Sequence, residues 1–184
     1  MEYYVNLPLT EETARKLRAG DTVYLTGQVY TSRDAGHKRM VELLSRGEAL
    51  PFDPKDATIY YVGPSPAKPG QVIGSAGPTT SGRMDAYAPT LLSVGARGMI
   101  GKGARSPEVV AAMKEHSGVY FGAIGGAGAL LAKCIKKAEL IAWEDLQSEA
   151  LRRLWVENMP LVVVIDCQGN DLYQQGRAAY LANR

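Results

Sequence analysis

Between Met84 and Cys134 the chain repeats one pattern, and that pattern limits what it can become. Met84, Tyr87, Leu91 and Leu92 fall at helical spacing and are followed by Gly95, which predicts a helix and its stop. Gly98, Met99 and Ile100 form a short strand. Ser106 and Pro107 make an N-cap and first-turn pair for a helix carrying Val109, Val110 and Met113, and Gly118 closes it. Val119, Tyr120 and Phe121 read as the next strand, and residues 127–134 as a further helix. This helix–strand alternation implies parallel strands with helices laid on the sheet.

The flanks fit the same class. Thr10 as N-cap, Glu11 and Glu12 in the first turn and Gly20 beyond the end predict the first helix. A strand through Val23–Leu25 and a β-like stretch to Tyr30 follow. Asp34 is expected to cap a helix with Met40, Val41, Leu43 and Leu44 on its apolar side, closed by Gly47. Residues 58–62, 139–143 and 161–166 read as strands, 63–70 as a Pro/Gly-rich surface loop, and 168–171 as a turn before Leu172 and Tyr173. The expectation is one α/β domain over residues 1–184 with a mixed sheet, its strand order open.

Bulk properties exclude several functions. A net charge of +2 on 184 residues, with 46% hydrophobic and 22% charged, points to neither nucleic acid nor an acidic membrane surface. Cys134 and Cys167 are the only cysteines, too few to hold zinc or an iron–sulfur cluster unaided, and they suit a reducing compartment. The first residues lack the basic start and apolar run of a signal peptide, and the apolar run at 161–165 is far short of a membrane span. A cytoplasmic protein is expected.

Polar chemistry concentrates at strand–helix junctions, where α/β proteins bind ligands. In Thr31-Ser-Arg-Asp-Ala-Gly-His-Lys-Arg39, free N–H groups at a helix start join cationic side chains in favouring an anion. A cap at Asp34 and water-facing Lys38 and Arg39 account for those three residues; for Arg33 ligand and surface readings balance. Gly77-Pro-Thr-Thr-Ser-Gly-Arg-Met-Asp85 offers three consecutive hydroxyls and then an arginine, enough for several hydrogen bonds to one oxyanion, with one hydroxyl reserved for capping. Gly101-Lys-Gly103 resembles a phosphate loop but fails it, since Ala96 stands where the first glycine is required and Gly103 where Ser or Thr should be. The glycine-rich 122–128 stretch lacks dinucleotide spacing. His116, at a helix end, is read as structural. Arg33, Arg83 and Lys102 therefore suit a small polyanion such as a dicarboxylate, while a nucleophile, a metal centre and a redox site are all missing.

Those long motifs, in this order, resemble the β subunit of class I fumarate hydratases, equivalent to the C-terminal domain of single-chain forms. Softer support comes from Gly125-Gly-Ala-Gly-Ala-Leu130 and from Val156-Glu-Asn-Met-Pro160 running into residues 162–166. The resemblance implies a swivelling β/β/α domain docked on an α subunit whose three cysteines hold a four-iron, four-sulfur cluster. It implies reversible hydration of fumarate to (S)-malate, with no metal ligand in this chain. Position by position, Arg33, Arg83 and Lys102 match substrate-carboxylate ligands and Thr79 a hydroxyl assigned to proton transfer; His37, Thr80 and Asp85 take supporting roles. The sister L-tartrate dehydratase β subunit is the nearest alternative, with Gly82 favouring fumarate because tartrate enzymes tend to carry a bulkier residue there. A non-catalytic anion-binding module is the alternative from another class.

Overall fold

Alternate burial of successive side chains builds this protein around two apolar layers. The computed structural model describes residues 1–123 and 128–183. In chain order its elements are β1 (Glu2–Asn6), α1 (Glu11–Lys16), β2 (Thr22–Thr31), α2 (Asp34–Ser45), β3 (Thr58–Tyr60), α3 (Ala88–Ser93), β4 (Gly98–Gly101), α4 (Pro107–His116), β5 (Val119–Gly122), α5 (Gly128–Lys133), β6 (Ile135–Ala142), β7 (Leu151–Ile165) and α6 (Leu172–Ala182). Two 3-10 segments, Ser81–Met84 and Glu144–Glu149, lie between them.

The sheet runs β1-β2-β3-β4-β5-β7-β6, and β2 also pairs with β7. Strands β1 to β5 are mutually parallel, and β7 is antiparallel to β2, β5 and β6. The β2–β7 pairing closes β2-β3-β4-β5-β7 into a five-stranded barrel, with β1 and β6 as flaps. In β3 to β5, Tyr60, Ile100, Val119 and Phe121 enter one core, shared with Leu9 and Leu17 beside α1 and Leu131 of α5. Their neighbours Ile59, Met99 and Tyr120 face a second core under Met40 of α2, Leu91 and Leu92 of α3, and Val109 and Met113 of α4. Strands covered on both faces read as short continuous apolar runs, which is how β4 and β5 stand in the sequence.

The α/β class and mixed sheet are as expected, and Thr10 and Ser106 cap α1 and α4 through Thr13 N–H (3.2 Å) and Val109 N–H (3.4 Å). Several details differ. Arg33, not Asp34, occupies the N-cap position of α2, and its side chain makes no cap bond. The helix expected from Met84 is split, because a 3-10 turn ends at Met84 and α3 begins at Ala88 with Pro89 in its first turn, where a missing N–H costs nothing. Strand β3 stops at Tyr60, since Val62 N–H folds back onto the Tyr60 carbonyl (3.0 Å). Strands β6 and β7 extend well before the predicted 139 and 161, and α6 follows the predicted turn. Most of the glycine-rich 122–128 stretch lies outside the described residues.

Candidate functional site

Parallel strands deliver their C-terminal ends to one rim, and the polar loops gather there. Arg33 lies two residues past the end of β2, residues 61–63 continue from β3, and Lys102 directly follows β4. The hydroxyl loop wedges in just beyond the last β3–β4 pair, Tyr60–Ile100. Thr79 N–H donates to the Tyr61 carbonyl (2.8 Å), Ser81 N–H to the Lys102 carbonyl (2.9 Å), and Thr80 bridges Lys102 in parallel. Gly103, at φ 89°, makes the turn after Lys102 in a conformation that favours glycine. Backbone bonding thus fixes Thr79, Thr80 and Lys102 side by side, and places Arg83 one 3-10 turn further on.

A buried ion pair holds this loop cluster from beneath. The Arg105 side chain is fully buried between the Tyr61 and Tyr120 rings, its guanidinium carbon 5.1 and 4.8 Å from their centroids. Arg105 Nε donates to Asp85 Oδ1 (2.7 Å) and Nη2 to the Tyr61 hydroxyl (3.2 Å), while Asp85 Oδ2 accepts from Ser106 N–H (2.7 Å). Burial opposes the Arg105 charge, but Tyr61 and Asp85 outweigh it and the group stays protonated. The Tyr120 hydroxyl lies 2.8 Å from Ser81 Oγ and 2.9 Å from the Gly103 carbonyl, joining both loops. Ser81 is therefore the hydroxyl withdrawn from the site, taken by Tyr120 and not by a helix cap. Asp85 supports the loops through Arg105, a residue the sequence did not single out.

The remaining polar groups stay uncommitted. Thr79 is half-buried, Thr80 and Lys102 are exposed, and none of their side chains makes a hydrogen bond among the described residues. The Arg83 side chain is 56% exposed, with Nη1 3.9 Å from Asp34 Oδ2. Arg33 Nε lies 3.9 Å from Glu149 Oε1, and its guanidinium makes no hydrogen bond among the described residues. Arg33, Thr79, Thr80, Arg83 and Lys102 thus share one rim of the barrel, their side chains free of hydrogen bonds among the described residues.

His37 is different. It is fully buried, and its Nδ1 lies 2.9 Å from both Ser32 Oγ and the Arg33 carbonyl. A carbonyl can only accept, so Nδ1 carries the proton; Nε2 has no partner. Burial pushes its pKa down to about 4, with the Arg33 carbonyl working against the shift and Arg105 adding to it. The ring steadies the backbone of Arg33 through this bond. Because the folded pKa lies below the unfolded value of about 6.5, the unfolded chain binds the proton first, and the resulting stability is complete above pH 6.5 and lost as pH falls towards 4. The expected loss is on the order of 3 kcal/mol over that window. Urea unfolding of the wild type and of His37→Asn from pH 7.5 to 4.5 checks this, since the variant lacks that component of the acid destabilisation.

A cavity of about 740 Å³ is lined among others by Pro66, Ile73, Ala129 and Lys136, and no candidate site residue borders it. The two cysteines sit apart, Cys134 Sγ directed to the Leu130 carbonyl and Cys167 Sγ to that of Ala14. Among the described residues no three His, Cys, Asp or Glu side chains group as a metal site, and no helix is long and apolar enough to cross a membrane. These donors do not fit an iron–sulfur cluster.

Known proteins are similar to this chain in sequence. The aerobic class I fumarate hydratase of Salmonella typhimurium is 39% identical over 175 residues, covering 93% of this chain and 30% of its own. The mitochondrial fumarate hydratase 1 of Leishmania major is 43% identical over 153 residues, 82% of this chain and 28% of its own. A protein of Methanocaldococcus jannaschii described as a putative L(+)-tartrate dehydratase subunit beta is 37% identical over 181 residues, 95% of this chain and 92% of its own. The chain thus spans about a third of the fumarate hydratases and nearly all of the third relative. The family model described as Fumarase C-terminus matches residues 2–176, and with relatives at these identities the chain belongs to that family.

Proposed function

We propose that this chain is the β-type part of a hydro-lyase that interconverts fumarate and (S)-malate, with an active site completed by a cluster-bearing partner. The observation that carries the reading is the rim itself: two arginines, a lysine and two threonine hydroxyls stand together with their donors uncommitted. Their open setting suits one wall of a site closed by another protein surface. In this reading an iron–sulfur cluster held by the partner would supply Lewis-acid chemistry for the hydroxyl that leaves as water.

This chain's residues account for the rest. Fumarate carries two negative charges, and removing the malate C3 proton pushes a further charge onto the adjacent carboxylate. Arg33, Arg83 and Lys102 bind the carboxylates and stabilise that developing charge from loops whose backbone is already bonded in place. The Thr79 hydroxyl takes or passes the proton. Thr80 adds a donor, and His37 and Asp85 hold the loops. A partner subunit is supported by the full-length similarity to a chain described as subunit beta. The same similarity favours L-tartrate as the second substrate reading.

The test is anaerobic reconstitution with the cluster-bearing partner, assaying fumarate, malate and L-tartrate. Fumarate hydration that is lost in air supports the proposal, and turnover of tartrate alone selects the second reading. Arg83→Met in the same complex is expected to lower kcat/KM by about 10- to 200-fold, the worth of one charge-assisted hydrogen bond of roughly 1.5–3 kcal/mol. Arg83→Lys should restore part of it, since charge returns without the two-pronged grip. Wild-type kinetics for Arg83→Met would remove Arg83 from the site.

A further inference from the structure

We propose that Glu149 is the positioning residue for Arg33, held against it by a strap over residues 143–149; this rests on the dicarboxylate reading above. Arg33 Nε and Glu149 Oε1 are both buried, face each other at 3.9 Å, and have no hydrogen-bond partner. They form an ion pair without a hydrogen bond, so the attraction fixes the guanidinium while leaving its donors available. Arg33 also lies against Gly63, where a Cβ would come within 2.9 Å of Nη1 and 3.0 Å of Cδ. The guanidinium thus has a glycine and a carboxylate as neighbours, and the glycine leaves room for it. Its Nε edge faces Glu149, and the Nη end is left for a substrate carboxylate.

The strap is built to hold that carboxylate in place. Trp143 (φ 62°) and Gln147 (φ 55°, ψ −114°) are non-glycine residues in left-handed or strained backbone, which persists only where the surroundings enforce it. Two clamps do so here. Arg39 Nη1 and Nη2 grip Asp145 from α2 at 2.9 and 2.5 Å. Arg152 donates to the carbonyls of Gln147 (3.0 Å), Ser148 (3.4 Å) and Ala150 (3.3 Å). Arg39 belongs to the helix that Arg33 caps, so strap and arginine share one anchor. Without Glu149, Arg33 stands on a rim with Arg83 and Lys102 and swings toward water.

A double-mutant cycle in the assembled complex tests the role. Glu149→Gln keeps the shape and removes the charge, and is expected to raise KM about 3- to 30-fold while kcat stays within about threefold. In an Arg33→Met background the same change should add less than about twofold, because its effect passes through Arg33. Gly63→Ala, which intrudes on the slot with Glu149 intact, should reproduce the KM signature and guards against a misfolded Glu149→Gln. Independently, the ¹⁵N–¹H resonance of Arg33 Nε in the isolated chain should shift in Glu149→Gln. Full additivity in the cycle, or an unmoved Nε resonance in a folded variant, overturns the proposal. If the wild-type complex turns over no dicarboxylate, the functional reading fails instead, and the resonance still decides the pairing.

Discussion

Thr79→Val is expected to leave KM close to the wild type's and to lower kcat by about 10²- to 10⁴-fold, the usual contribution of a positioned proton-transfer group. Valine keeps the shape and the branched Cβ, and the Thr79 backbone bond to the Tyr61 carbonyl survives the exchange. Only the hydroxyl is lost. An alcohol is a weak base at neutral pH, and the proposed chemistry needs its deprotonated form favoured. Nearby cations do this. Lys102, backbone-paired to the adjoining Thr80, and Arg83 further along the same loop stand on the same rim. Thr79→Ser should therefore recover much of the rate. Exchange of the malate C3 proton with deuterated solvent gives a second measure, and the valine variant should lose it in step with kcat. Near-normal kcat with intact exchange would make Thr79 a packing residue.

Arg105→Met is expected to lower stability by about 3–5 kcal/mol, because it strands Asp85 beneath the loops without its partner. For a chain of this length that corresponds to roughly 6–20 °C in melting temperature. Methionine fills part of the slot between Tyr61 and Tyr120 but cannot bond Asp85 or the Tyr61 hydroxyl. Removing both charges in Arg105→Met/Asp85→Asn should cost less than the sum of the single changes, since no lone buried charge remains. Thermal and urea unfolding followed by circular dichroism measure all three variants. A shift of only a degree or two for Arg105→Met would mean that the loops are held by their backbone bonds alone.

What the sequence revealed was what is local in the chain. Thr10 and Ser106 announce their helices because each caps an N–H three residues away. The rim loops were visible because cations and hydroxyls crowd short junctions between apolar runs. Arg105 and Glu149 carry no local signal because their partners come from distant segments: Tyr61 is 44 positions from Arg105, and Glu149 meets Arg33 only through the strap. Helix α6 went unread for another reason. It buries none of its residues, so no core-facing stripe marks it. Of strand β7 the sequence shows only the end, read at residues 161–166, because Asn158 and Pro160 interrupt its apolar pattern before them. From Asn158 to Pro160 it has β2 on one side only, β6 pairing up to Val156 and β5 from Val162, which leaves room for Pro160 and for Asn158 at φ 44°.

Closure of the barrel by β2 and β7 carries a consequence for how the chain reaches this form. Thr31 Oγ1 accepts from Arg152 N–H across 121 positions, and the ten residues of β2 find their antiparallel partner only in β7. Pairings so remote in sequence raise the contact order, and chains dominated by them fold slowly compared with helical proteins. A fragment ending before Leu151 would contain every rim loop named here and lack the strand that completes the barrel beneath them. During synthesis the rim would therefore take shape late, after nearly all of these residues have left the ribosome.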